Sequence, residues 1–127
     1  MTENIEQDAE GAARSLVELV RALQERGIEY PLEAYRVYSY LTRCAGEMRT
    51  AIELIEASVQ RLEDKDLLRS DYRREPLDDV LQRFTEASGN AKDLAGALHG
   101  RLSTAHSAIG HVAYKEEPAE QESATGS

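Results

Sequence analysis

The chain lacks tryptophan altogether and has one phenylalanine, one cysteine and three prolines among its 127 residues. With Cys44 alone, no internal disulfide can form, and its place on a helical seam predicts a buried, reduced thiol of a cytoplasmic protein. No apolar run approaches the roughly 20 residues of a membrane-spanning helix. The opening MTENIEQDAE has neither the basic nor the apolar region of a secretory signal. No basic face is concentrated enough to hold a duplex by releasing counterions, so neither nucleic acid nor a membrane is an expected partner. The net charge of −9 belongs to the ends. Residues 1–10 hold four acids and no base, and residues 115–127 hold four acids and one lysine, which leaves −2 for the rest. Residues 1–7 and the acidic tail 115–127 are too polar to pack and are expected to be disordered.

What the chain does have is helical periodicity. From Val37, apolar or small residues recur at Leu41, Cys44, Met48, Ala51, Ile55, Ser58 and Leu62, in alternating steps of four and three. A second column, Tyr38, Ala45, Ile52 and Val59, lies beside the first, and the two together are expected to form a buried face of about three positions in seven. This is one long helix over about 31–68, opened by Pro31 at a position where a missing N–H costs nothing. A second seam runs Leu77, Leu81, Phe84, Ser88, Ala91, Ala95, Leu98, Leu102, Ala105, Ile109 and Val112, on a helix over about 76–113 that Pro76 begins. The polar RSDYRRE between them reads as a turn. Folding the chain near residue 71 pairs positions whose numbers sum to about 143, so that large residues meet small ones along the middle. Ahead of the hairpin, a short amphipathic helix over about 8–26, capped by Asp8 and closed by Gly27, carries Leu16, Leu19, Val20 and Leu23. It must dock on the wide face of the long helix over 31–68 or on another chain, since it cannot stand alone.

The fold class is therefore all-α: a short N-terminal helix and a long, coiled-coil-like antiparallel hairpin within a single domain over 8–114, with oligomerisation completing a bundle. The third helix adds a second feature. Gly89, Gly96, Ser103 and Gly110 share one heptad column, with Gly100 and Ser107 next to it. Each glycine costs about 1 kcal/mol in a helix interior, and a column of small residues lets another backbone approach. These six residues are the expected protein-interaction surface, for a homodimer or another helical protein.

Signs of chemistry are few, and no catalytic residue, metal or cofactor is expected. Tyr30, Tyr35, Tyr38 and Tyr40 crowd eleven residues and invite a ligand pocket. Glu53-x-x-Glu56 followed by Glu75-x-x-Asp78 is similar to the paired acidic motifs of all-α nucleoside triphosphate pyrophosphohydrolases. That resemblance implies magnesium held between helices. His99, His106 and His111 stand three residues after Gly96, Ser103 and Ala108, so the Glu-x-x-His of di-iron bundles is missing. Cys44 could meet His99 across the hairpin as a thiol with its base. The hairpin also resembles, loosely, the small Trp-x-Gly proteins exported by type VII secretion. Their tyrosine-acid signal would fall on Tyr114, Glu117 and Pro118, and the chain has no tryptophan for the turn.

Overall fold

The computed structural model describes residues 4–71 and 74–115. They contain three helices, α1 (Ile5–Glu25), α2 (Pro31–Asp64) and α3 (Leu77–Ile109), and no strand among the described residues. The chain forms two compact units. Among the described residues, one comprises 4–34 together with 112–115, and the other is Tyr35–His111. The disorder expected for 1–7 and 115–127 lies, for residues 1–3 and 116–127, outside the described residues, as do two residues of the expected turn.

In the first unit, α1 begins three residues ahead of the expected Asp8. Asn4 is the cap, its side chain accepting the Gln7 N–H at 3.1 Å, and Asn caps as well as Asp. Glu6 and Asp8 then sit in the first turn, where the helix dipole favours acids. Gly27, at φ 76°, closes the helix in the left-handed conformation. No residue of α1 is buried, and its stripe of Leu16, Val17, Val20 and Leu23 stays exposed.

Beyond Gly27, Arg26 bonds both Glu29 (3.1 Å) and Glu33 (3.0 Å), and Glu33 in turn accepts the Glu29 N–H at 3.1 Å. This clamp fixes the entry to α2, whose first turn starts at Pro31 with the Tyr30 carbonyl accepting from Glu33 at 3.1 Å. The Tyr114 hydroxyl donates to the Glu29 carbonyl.

The second unit is a helical hairpin. α2 stops at Asp64, earlier than the expected 68, because Asp66 turns left-handed (φ 57°). The Leu67 N–H then reaches the Leu62 carbonyl at 3.1 Å and the Asp66 N–H the Glu63 carbonyl at 2.9 Å, a Schellman closure. Glycine tolerates that conformation without Cβ strain, so Asp66→Gly should raise stability by about 0.5–1 kcal/mol, read from urea denaturation. An unchanged or lower midpoint would contradict this ending. α3 starts at Leu77, capped by the Pro76 backbone carbonyl, with Asp78 and Asp79 in its first turn.

The two helices run antiparallel. Tyr35 meets His106, Gly46 meets His99, Arg49 meets Gly96 and Glu56 meets Lys92. The position numbers of these pairs sum to between 141 and 148, centred near 145, two above the value read from the sequence.

Candidate functional site

The hairpin closes on small residues. Ala45 and Ala95, 2% and 5% exposed, are the two buried residues among those described. Beside each stands a glycine that receives a long side chain from the opposite helix. His99 lies 3.1 Å from where a Gly46 methyl would be, and Arg49 lies 3.5 Å from the same point on Gly96. Both helices carry one pattern at this crossing: Ala45-Gly46-Glu47-Met48-Arg49 on α2 and Ala95-Gly96-Ala97-Leu98-His99 on α3. The crossing is pseudo-twofold, and the exposures agree, since Met48 and Leu98 are both 46% exposed.

This geometry moves the contact around each helix relative to the sequence reading. On α2 the column that faces α3 is Tyr38, Ala45, Ile52 and Val59, expected as one part of a wider buried face. Of that seam, Cys44, Met48, Ala51, Ile55 and Leu62 are exposed. Cys44 is thus a free, exposed thiol where a buried one was expected. On α3, Ala91 and Leu98 are exposed as well. The physical reason is close approach: the smallest residues allow the backbones nearest, and the larger apolar side chains are turned aside. Because the helices are antiparallel, columns displaced in the same rotational sense on each fall on the same side of the hairpin. The exposed seam positions, with the neighbouring column of Ala87, Leu94, Arg101 and Ala108 on α3, therefore form one apolar face. Ile55 at 53% and Leu94 at 69% exposure are its most open large apolar members.

The opposite face is polar and carries the crossing's long side chains. Lys92 donates to Glu56 at 3.1 Å. Ser88 and Lys92 hold the Glu56 carboxyl below its ordinary value, more than its partial desolvation raises it. Glu33 is also lowered, by the Glu29 N–H first and then Arg26, and Glu75 is lowered by Arg83. A carboxyl depressed in the folded state stabilises above its unfolded value of about 4.5 and loses that contribution as pH falls below it. The melting temperature should therefore drop on acidification below about pH 4.5. Glu56→Gln should melt lower than the wild type at pH 7, with the gap closing in acid. A gap independent of pH would contradict the assignment.

The expected interaction residues divide. Gly96 lies under Arg49, and Gly110 lies against Tyr35, whose ring a methyl there would approach to 2.9 Å. Gly89 and Gly100 have nothing within 4 Å of that point, and Gly100, Ser103 and Ser107 are exposed. The tyrosines separate as well. Tyr35 stacks on His106 with centroids 4.1 Å apart, while Tyr40 is exposed with Arg43 at 5.9 Å from its ring. In the first unit, Tyr30 and Tyr114 line a shallow concavity of about 430 Å³ with Pro31, Leu32, Val112 and Ala113.

The four carboxylates of the acidic motifs do not converge. Glu53 pairs with Arg49 at 3.7 Å, Glu56 with Lys92, and Glu75 with both terminal guanidinium nitrogens of Arg83. Among the described residues no three His, Cys, Asp or Glu side chains are grouped to hold a metal ion. Cys44 and Gly46 are two residues apart on α2, about 200° around the helix, so His99 on Gly46 is on the far side from the thiol. No helix among the described residues is long and apolar enough to cross a membrane. Compared with protein-family models, curated proteins and solved structures, the chain has no match.

Proposed function

We propose that this protein is a non-catalytic helical assembly module that works by packing one face of its hairpin against another helical surface. The observation that carries the reading is the apolar face itself. Across its two outward columns on α2, from Val37 to Leu62, no residue is charged. The matching columns on α3, from Leu77 to Ala108, hold a single charge, Arg101. A helical hairpin is stable in water when such stripes are covered, and large exposed apolar patches mark interaction sites. Cytoplasmic residence belongs to the same reading, supported by the one free thiol.

The hydrolase reading differs in what stabilises the fold. A ligand that binds only the folded state raises its melting temperature. The module is expected to melt at the same temperature with and without millimolar Mg²⁺ or Mn²⁺ and a nucleoside triphosphate. A rise of several degrees that Glu56→Gln or Glu53→Gln abolishes would overturn the non-catalytic assignment.

A further inference from the structure

On that reading, the geometry points to a second copy of this chain as the cover of the apolar face. The two copies are related by a twofold axis parallel to the helices, with each α2 lying antiparallel to α3 of the other copy. Such an axis repeats across the interface the register found within the hairpin, so that facing positions again sum to about 145. Ile55 then meets Ala91 of the second copy, and Ala51 meets Leu94 of the second copy. Large falls on small at these two contacts, while Met48 meets Leu98 of the second copy beside them. All four helices of the pair are antiparallel to their neighbours, the up-down arrangement of a bundle.

Charge points the same way. Arg101 is the one charge in the face, and neither it nor Glu47, at the edge of α2, has an ion-pair partner among the described residues. In this register Glu47 of the second copy stands opposite position 98, three residues or about 4.5 Å along the axis from Arg101. The twofold axis makes that contact twice. Size agrees as well. A standard interface takes 20–30 residues and about 800 Å² a side, so these eighteen positions would bury roughly 600 Å² per copy, enough to clear the ~1,000 Å² that a specific pair needs.

Light scattering behind a sizing column, on the full chain over a range of concentrations, tests this together with the fluorescence of an apolar dye. The wild type should run at twice the 14.1 kDa chain mass and leave the dye dark. Ile55→Glu and Leu94→Glu should each raise the dimer dissociation constant by at least about a hundredfold while helical circular dichroism persists, because a lone carboxylate cannot be buried in an apolar contact. Gly100→Leu, away from the face, should remain dimeric. Arg101→Glu and Glu47→Arg should each weaken association, and an equimolar mixture of the two should restore it, since the mixed dimer has both pairs matched. A monomeric wild type that lights the dye would overturn the second copy and leave the assembly reading standing. A monomeric wild type that leaves it dark would mean the chain covers its own face, and both would fall. A dimer indifferent to Ile55→Glu and Leu94→Glu, or a mixture no tighter than its components, would also overturn the proposal.

Discussion

Ala95→Leu is expected to cost about 1–3 kcal/mol, although it replaces a small apolar residue with a larger one of comparable helix propensity. Ala95 is 5% exposed at the point where the helices close, and Gly96, next to it, already lies under Arg49. A leucine there adds volume at a point that is already closed, so the crossing must widen and the paired contacts on both sides of it loosen. Ala45→Leu should behave alike, as its pseudo-twofold counterpart. The same added volume at Ala57, which is exposed and lies outside the apolar face, should change stability by less than about 0.5 kcal/mol. Urea midpoints with unchanged slopes would measure all three. Equal effects at Ala57 and Ala95 would mean that the helices do not close on the alanines.

The second large effect lies at the open end of the hairpin. Tyr35 is half-buried, stacks on His106 and covers Gly110, so it ties the first turns of α2 to the last turn of α3. Removing a fully buried aromatic ring costs about 3–5 kcal/mol, and a half-buried one roughly half of that. Tyr35→Ala should therefore lose about 2 kcal/mol. Tyr35→Phe should lose little, because the ring carries the contact and no hydrogen bond from its hydroxyl is found among the described residues. Thermal melts of the two variants decide it. A Phe variant as weak as the Ala variant would move the contribution from the ring to the hydroxyl.

Much of the hairpin was legible in the sequence. The alternation of four and three from Val37 to Leu62 and from Leu77 to Val112 marks two helices, and the pairing rule drawn from the turn falls within two residues of the contacts at Gly46 and Gly96. Which column faces inward was not legible from apolarity, because apolarity picks out the bulkiest residues. Close packing of two helices instead selects the smallest, here Ala45, Gly46, Ala95 and Gly96. The signal that could have revealed this was the repeated Ala-Gly-x-x with Arg49 or His99 at its end, the same five-residue pattern on both helices. For the same reason Gly96, read as part of an outer ridge, lies beside the crossing. The capping by Asn4 and the turn at Asp66 were missed because several residues there could cap or turn equally well, and only local hydrogen bonds choose among them.

The hairpin has the register of 145 with its exposed seam positions on one side, and the native Cys44 is the natural probe of it. Ala87, Leu94, Arg101 and Ala108 form one exposed heptad column of α3 on the same side. With Cys44 spin-labelled, and a second labelled cysteine placed in turn at each of those four sites, pulsed electron resonance gives four distances. Labelled chains are diluted into unlabelled Cys44→Ser protein so that only distances within one chain are read. The shortest distance is expected at Arg101, with the separation along the axis growing by about 10 Å for each heptad on either side. A minimum at Leu94 or Ala108, or a distance that changes steadily along the column without a minimum, would contradict it.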